Sequence, residues 1–587
     1  MAGYQNCVLR VNLTTGTAAT EKLNKEWARD FLGGKGLGIK YIYEEVGPGV
    51  DALSPENKLI LMTGPFTGTI VPCSGKLGLI TKSPLNGTIL DCSIGGSAAV
   101  EIKRAGYDAV IIEGKSDYPV YLLIEDGKVA IKEAGDYWGL SCHDTEEKLK
   151  QAYSEDYSVL SIGPAGENLV SYACVTSDFY RQAGRGGVGA VLGSKMLKAV
   201  VVKGTGSVRA ADAKKLMEVT YNAYKNDLLT DNNLWAYTDG TPMLVELSQT
   251  TGILPTRNFQ QGTFDQFENI KSEAVAAARQ AKKGCVSCGL GCGNFTRVGN
   301  AAVEGPEYET LAIGGSNCGI GDLGAIVKFN DSCDALGLDT ISAGGSIAFA
   351  MEMTEKGIHD FGIRFGDAAK FVELPELIAN RKGIGAELAL GVKKLAEKYG
   401  GMEFAMQVKG LEFPGYDPRG AWGMGLAYAT APRGACHMSA WPVADETYGE
   451  GNPFTIEGKA EMVKGLQHYN AAKFSLILCD FWALSFEIMA EMLSALLGEE
   501  ITAGSLEQAG ERIFNLARMY NVREGRSASD DVLPARIHQH PLTTGATADK
   551  TLPEAEFNKM LMEYYAIRGW DNNGRPTAGK LQELGLG

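Results

Sequence analysis

Cys285, Cys288 and Cys292 stand in a Cys-x2-Cys-x3-Cys run inside the glycine-rich stretch Gly284-Cys-Val-Ser-Cys-Gly-Leu-Gly-Cys-Gly293. Three thiolates on one short, freely bending loop make a metal site that lacks a fourth ligand, so the chain must fold to bring one to it. The spacing suits a cubane iron-sulfur cluster better than a zinc knuckle, which pairs two Cys-x2-Cys halves. Free cysteines are common in cores but seldom tripled at ligand spacing. The candidates for the fourth place are Cys7, Cys73, Cys92, Cys142, Cys174, Cys318, Cys333, Cys436 and Cys479. Spacing alone does not choose among them.

The rest of the chain bounds the kind of protein that surrounds this loop. Its 587 residues exceed one hydrophobic core and predict several domains. The formal net charge of -15 argues against nucleic acid or an anionic membrane as the main partner, because both select a basic face. The start, Met-Ala-Gly-Tyr-Gln-Asn, lacks a basic head followed by an apolar stretch, and the apolar runs near 341–353 and 474–486 are too short to span a bilayer. Twelve cysteines scattered through a long chain fit a reducing compartment, so a cytoplasmic location is expected. The 74 glycines imply many turns and close backbone approaches, as around a bulky cofactor.

Up to about residue 205 the pattern is strand-like. Val8-Leu-Arg-Val-Asn-Leu13 alternates, Leu59-Ile-Leu-Met62 and Ala109-Val-Ile-Ile112 are short apolar runs, and Asp126-Gly127 predicts a hairpin. Beyond Lys203-Gly-Thr-Gly-Ser-Val the apolar period lengthens, with Asp212 a natural cap for a helix starting at Ala213. Helices are predicted over Ser272 to Lys283, Leu336 to Lys356, Leu374 to Tyr399, Met489 to Leu497 and Leu506 to Tyr520. Gly410 to Gly425 reads as a boundary between two helical domains. The expected architecture is therefore α+β, with a β-rich domain over 1–208 followed by helical domains over 209–409 and 410–587. Ala183-Gly-Arg-Gly-Gly-Val-Gly189 contains a Gly-x-Gly-x-x-Gly match, but Lys198-Ala-Val-Val-Val-Lys203 ends without the acidic residue a dinucleotide fold requires. Gly33-Gly-Lys-Gly-Leu-Gly38 reads as a turn or a cofactor-approach segment.

Several further segments accompany the cysteine loop: Leu53-Ser-Pro-Glu-Asn-Lys, Thr63-Gly-Pro, Lys82-Ser-Pro-Leu, Ala183-Gly-Arg-Gly-Gly187, Gly305-Pro-Glu-Tyr-Glu-Thr310, Asp334-Ala-Leu-Gly-Leu-Asp339, Tyr416-Asp-Pro-Arg-Gly420, Arg433-Gly-Ala-Cys-His437 and Asp530-Asp-Val-Leu-Pro534. Together they resemble the tungsten-containing aldehyde:ferredoxin oxidoreductase family over essentially the whole chain. The resemblance implies a β-rich base under two helical domains, with a tungsten bis-pyranopterin centre beside a 4Fe-4S cluster and a Mg2+ ion bridging the pterin phosphates. It also makes Cys479, at the end of Phe474-Ser-Leu-Ile-Leu-Cys479, the fourth cluster ligand beside Cys285, Cys288 and Cys292. In that arm Phe474 and Ile477 stand where the family has aspartate and glycine, and Leu478 precedes the cysteine.

The resemblance further assigns pterin contacts to Asp334, Gly337, Leu338 and Asp339, and a carboxylate there suits the adjacent N–H donors on the pterin's amino-pyrimidine edge. An ordinary helix-capping role for Asp339 is an equal reading of the residues alone. Lys76 stands where the family has arginine, which keeps the charge but loses the bidentate fork. Ser93 replaces an asparagine near the Mg2+ site, while Ala183 and Arg185 match. Glu309 and His437 match positions beside the metal and are the expected acid/base pair of the reaction. The implied activity is oxidation of aldehydes to carboxylic acids, with electrons leaving through the cluster to ferredoxin or an iron-sulfur partner subunit, in a homodimer or hetero-oligomer. The alternatives are a catalytic subunit running low-potential reduction of an acid derivative, and a non-catalytic iron-sulfur electron-transfer protein.

Overall fold

Alternation of side chains along the N-terminal strands divides them between two cores. In a computed structural model describing residues 1–587, a six-stranded mixed sheet runs in the order Thr17–Lys22, Cys7–Asn12, Ala109–Glu113, Leu59–Met62, Leu77–Lys82, Ile89–Ile94. Leu9, Val11, Leu59, Leu61, Leu79, Val110 and Ile112 point to one face, against Val120, Leu122, Ile124, Val200 and Val202 of a second six-stranded sheet. Val8, Ile60, Met62, Ile80 and Ile111 point to the other, against helices Gly34–Glu45 and Ala503–Arg523. A sheet covered on both faces needs apolar side chains at every position, hence the unbroken Leu59-Ile-Leu-Met62. The second sheet runs Arg181–Ala183, Val175–Ser177, Ser158–Ser161, Leu197–Lys203, Val120–Glu125, Lys128–Glu133, and the Asp126-Gly127 turn closes its hairpin as expected.

The remainder is mainly helical and shares one core of 69 residues that runs from Ala165 to Trp570. Helices Leu323–Leu336, Thr340–Glu355, Trp422–Thr430 and Glu554–Arg568 contribute to it. Asp212 caps Ala213–Ala223 by accepting from the Lys215 amide, as its sequence position indicates. Ala503–Arg523 returns to the outer face of the first sheet, so the last part of the chain closes on the first. No helix is long and apolar enough to cross a membrane.

Four elements differ from the sequence expectation. Gly33–Gly38 is not a turn but opens the helix Gly34–Glu45. Its glycines are selected by contact: a Cβ on Gly36 would lie 2.5 Å from Ile513 Cδ1, and one on Gly38 equally close to Ile80. The helix Ser272–Ala278 stops before Arg279–Lys283, which is a strand paired with Gly293–Val298; cross-strand pairing overrides the helical propensity of that alanine-rich segment. The helix expected over Leu336 to Lys356 divides at Gly337, whose φ of 75° is left-handed. That expected over Leu374 to Tyr399 is three helices separated at Gly383 and Gly391, with φ of 53° and 85°.

Candidate active site

Glu309 and His437 come from distant parts of the chain and meet. Glu309 immediately precedes a wide helical turn, Thr310–Gly315, and His437 lies in the loop after Trp422–Thr430. Glu309 Oε1 and His437 Nε2 are 3.8 Å apart, and each side chain retains 17% exposure. Glu309 Oε2 accepts from the Gly415 amide at 2.8 Å, which orients the carboxyl and leaves Oε1 without a hydrogen-bond partner. Burial lifts the Glu309 carboxyl to about 7, against the opposing Gly415 amide and Arg185 charge. Burial, reinforced by the Arg185 and Arg433 charges, depresses the His437 imidazole to about 3. The pair at neutral pH is thus a carboxyl near its titration point beside an uncharged imidazole, as an acid/base site requires.

Aromatic side chains surround the pair. The Tyr416 ring lies 6.0 Å from His437 and 5.8 Å from Trp441, and Tyr308 and Tyr448 complete the group. Ser248 Oγ ties Tyr308 and Tyr448 together through their hydroxyls, at 2.8 and 3.2 Å. Five buried polar atoms in the neighbouring segments lack protein partners: Glu309 Oε1, His437 Nδ1, Arg185 Nε, Ser439 Oγ and Trp441 Nε1. Buried polar atoms are rarely left unpaired, so this concentration marks where a polar group docks.

The segment to which the resemblance assigns one set of pterin contacts is held by internal hydrogen bonds. Asp334 sits in the helix Leu323–Leu336 and accepts from Gln182 Nε2 at 3.0 Å and Asn330 Nδ2 at 2.8 Å. Burial holds its carboxyl well above the usual range. Gly337 is left-handed at the helix end, and Leu338 bridges to Ala173. Asp339 caps Thr340–Glu355, accepting from the Ile341 and Ser342 amides, and lies 3.6 Å from Arg185 Nε. Arg185 donates to the carbonyls of Ala435 and Glu412, and Ala183 pairs with Val175 in the second sheet. Asp339 and Arg185 are thereby neighbours, and a Cβ on Gly184, between Ala183 and Arg185, would lie 3.6 Å from Asp339 Oδ1.

The cysteines come together on the other side. A Cβ on Gly95 would lie 2.6 Å from Cys285 Sγ, so only glycine admits the loop there. The Cys479 amide donates to Cys73 O at 2.9 Å, and the Cys73 amide donates to Ser287 O at 3.0 Å. Cys73, one of the nine alternatives left open by spacing, bridges the two ligand segments, its sulfur 3.8 Å from Cys288 Sγ. Its left-handed backbone, φ 58°, makes this approach possible. The contact with Cys73 and the Gly291 and Leu290 amides lower the Cys288 thiol to about 6, against burial. Burial, then the negative charges of Glu307, Cys479 and Cys285, holds the Cys292 thiol well up. Burial pushes Cys479 up to about 12, and Lys76 opposes it. Lys76 Nζ is 2.6 Å from Asp480 Oδ1; burial opposes its charge, but Asp480 and the thiols of Cys479 and Cys285 outweigh that and raise it.

The donor sets fit the groups that the resemblance implies, with one exception. No three His, Cys, Asp or Glu side chains draw together as a cage for a single ion, and the loops carrying the four cysteines are joined through the backbone of Cys73. A small crevice lined by Lys35, Asp91, Arg433, Cys436, Ser439 and Phe474 holds two cations about one carboxylate, with Lys35 Nζ paired to Asp91 at 3.0 Å. The exception is the second arm. Phe474 lines that crevice without a carboxylate, and Ile477 adopts φ 65°, which glycine takes freely and a β-branched residue does not. Leu478 is buried in the core beside the cysteines. Ser93 points outward from Ile89–Ile94. Cys318 donates to Ile313 O and Gly344 O at 3.4 Å, and Cys436 accepts from Arg433 Nε at 3.0 Å.

Sequence reasoning passed over Lys35, Asp91 and Arg433 as site residues and left Cys73 as one candidate among nine. The Lys35 signal lay in the Gly33–Gly38 run itself, since a lysine 7% exposed in a glycine-rich helix start needs an anionic partner. Nothing local marks Cys73.

The family model described as aldehyde ferredoxin oxidoreductase, N-terminal domain, matches residues 8–204, and that for domains 2 and 3 matches residues 216–586. The tungsten-containing aldehyde ferredoxin oxidoreductase of Pyrococcus furiosus is 42% identical, covering 100% of this chain and 99% of the relative. The aliphatic sulfonate oxidoreductase, WOR-like subunit, of the same organism is 30% identical, with 100% and 98% coverage. Among solved structures, the active site complex BamBC of benzoyl coenzyme A reductase with 1,5-dienoyl-CoA superposes at a TM-score of 0.86 and 25% identity, covering 100% of this chain and 97% of that one. With matching domain models from end to end and full-length relatives above 40% identity, the chain belongs to the aldehyde ferredoxin oxidoreductase family.

Proposed function

We propose that the protein oxidises aldehydes to carboxylic acids, RCHO + H2O giving RCOOH, two protons and two electrons. The observation that carries this reading is the 3.8 Å Glu309–His437 contact with an unpartnered carboxylate oxygen facing the imidazole. Glu309, poised near pH 7, takes the proton of the attacking water. His437, kept neutral by burial and the nearby arginines, donates an N–H to the aldehyde oxygen. Tyr416, Trp441 and Tyr448 screen the site from solvent and favour an aldehyde with an apolar or aromatic substituent.

A tungsten bis-pyranopterin supplies the two-electron acceptor when bound. Asp334, Gly337, Leu338, Asp339, Ala183 and Arg185 would hold one pterin, Lys76 and Leu478 would serve the other, and Ser93 would serve the Mg2+ ion. Cys285, Cys288, Cys292 and Cys479 would hold a 4Fe-4S cluster, which would supply one-electron transfer toward ferredoxin or an iron-sulfur subunit of a hetero-oligomer. Twelve free cysteines support a cytoplasmic location. The division into 1–208, 209–409 and 410–587 belongs to the same reading, its first boundary supported by a sheet core confined to Leu9 through Val202.

The likeness to the BamBC complex favours one second reading, low-potential reduction of an acid derivative inside a larger complex. Anaerobically purified protein assayed for viologen reduction with aliphatic and aromatic aldehydes decides between them. Turnover with an aldehyde supports oxidation. Turnover only in the reverse direction, with reduced viologen and an acid derivative, replaces it.

A further inference from the structure

Large apolar side chains are seldom exposed in runs, yet this chain concentrates them at one place. Met217, Tyr221, Leu229, Leu234 and Tyr237 are each 53–62% exposed. They make up five of the molecule's eleven exposed large hydrophobics within 21 consecutive residues. Met217 and Tyr221 lie four apart on the solvent face of Ala213–Ala223, whose other face, Leu216 and Val219, packs in the core. An exposed apolar group of this kind marks an interaction surface.

The segment sits directly on the cysteine loop. A Cβ on Gly289 would lie 3.0 Å from both Leu228 and Tyr224, and one on Gly291 would lie 3.5 Å from Tyr237. Trp235 packs edge-on against Phe481 at 5.4 Å, two residues past Cys479. Tyr224, Trp235, Cys288, Cys292 and Cys479 border one common core. Lys282 Nζ donates to Ala236 O at 3.2 Å, which fastens the segment to the strand leading into the loop.

The segment itself carries Glu218, Asp227, Asp231 and Asp239 against Lys225, but the cysteine-loop stretch beside it is basic. From Ala274 to Val303 there is no carboxylate but four cations, Arg279, Lys282, Lys283 and Arg297, in a chain of net charge -15. The carboxylates that bound this stretch are engaged elsewhere, Glu273 with Lys271 and Glu304 with Arg181. Lys283 and Arg297 are exposed on the paired strands Arg279–Lys283 and Gly293–Val298.

We propose that Met217, Tyr221, Leu229, Leu234 and Tyr237, bordered by Arg279, Lys282 and Lys283, form the docking surface for an acidic iron-sulfur electron-carrier protein. The proposal rests on the reading of Cys285, Cys288, Cys292 and Cys479 as cluster ligands. The apolar centre supplies contact area, and the basic border steers an acidic partner while the rest of the acidic surface repels it.

The test uses the holoenzyme with an acidic ferredoxin and, separately, methyl viologen as acceptor. A Tyr221→Ser/Leu229→Ser double variant and Lys283→Glu are expected to raise the KM for ferredoxin about tenfold, the effect of losing about 1.4 kcal/mol of contact. Their viologen rates should stay at the wild-type level. The wild-type ferredoxin KM should rise with salt, and K283E should weaken that dependence. A direct ferredoxin-binding titration, independent of turnover, must show the same loss of affinity. Unchanged KM and affinity in both variants overturn the proposal. So does conversion of a dimer to a monomer without a change in ferredoxin affinity, which would make the surface a contact between copies. Absence of any aldehyde-dependent viologen reduction in the wild type counts against the proposed activity instead, and the binding titration still decides the docking surface.

Discussion

Replacing Glu309 by glutamine should slow turnover and, above neutral pH, make the protein more stable. The glutamine carbonyl keeps the bond from the Gly415 amide, so the local backbone is undisturbed. Wild-type Glu309 titrates near 7 in the folded protein, against an ordinary 4.5. A raised carboxyl favours folding below its unfolded value, and that contribution is lost as pH rises through the folded one. At about 1.4 kcal/mol per tenfold change in proton affinity, the displacement from 4.5 to about 7 amounts to about 3 kcal/mol of ionisation penalty at pH 8. E309Q removes that penalty at pH 8 and changes little at pH 4.5. Loss of the general base meanwhile lowers kcat about 10²–10⁴-fold. Urea midpoints followed by tryptophan fluorescence at the two pH values, with aldehyde-dependent viologen reduction, measure both effects. E309Q with wild-type resistance at pH 8, or with activity within threefold of wild type, would refute the poised-base reading.

The same logic with opposite sign applies to His437: its imidazole is depressed to about 3, so stability falls as pH drops below 6.5, and H437N should gain about 2 kcal/mol at pH 5 but nothing at pH 8 in the same urea assay. C479S should lose the cluster, read as a fall in bound iron and loss of the reduced-cluster EPR signal, whereas C73A should retain its iron. K76M removes the cation that faces Asp480 and the cysteines, so the cluster's midpoint potential in an EPR-monitored redox titration should fall. Asp531 is fully buried between Lys409 at 2.7 Å and Arg518 at 2.8 Å. D531N leaves both cations unpaired and should cost about 3–5 kcal/mol in urea unfolding.

The residues differ in how far their roles could be read in advance. The strand assignments of the first sheet follow from apolar runs that every later contact satisfies, and the Asp212 cap from a local hydrogen bond. Arg279–Lys283 did not, because its partner strand lies beyond the cysteine loop and its own composition favours a helix. The Gly33–Gly38 helix start was hidden for a similar reason: its glycines answer to Ile513 and Ile80, which no local pattern connects to them. Asp339 illustrates both kinds of information at once, a cap legible in sequence and a neighbour of Arg185 visible only in space.

By itself the sequence determined that three thiols share one loop, that the front of the chain is β-rich and the remainder helical, and which family its motifs belong to. Ligand spacing, side-chain period and helix caps act over a few residues, so they are written locally. The tertiary structure decided that Cys73 bridges the loops carrying Cys288 and Cys479, that Glu309 faces His437, and that the apolar surface around Tyr221 remains uncovered beside the cysteines. Proximity, burial and the proton affinities that burial sets depend on what packs from elsewhere in the chain.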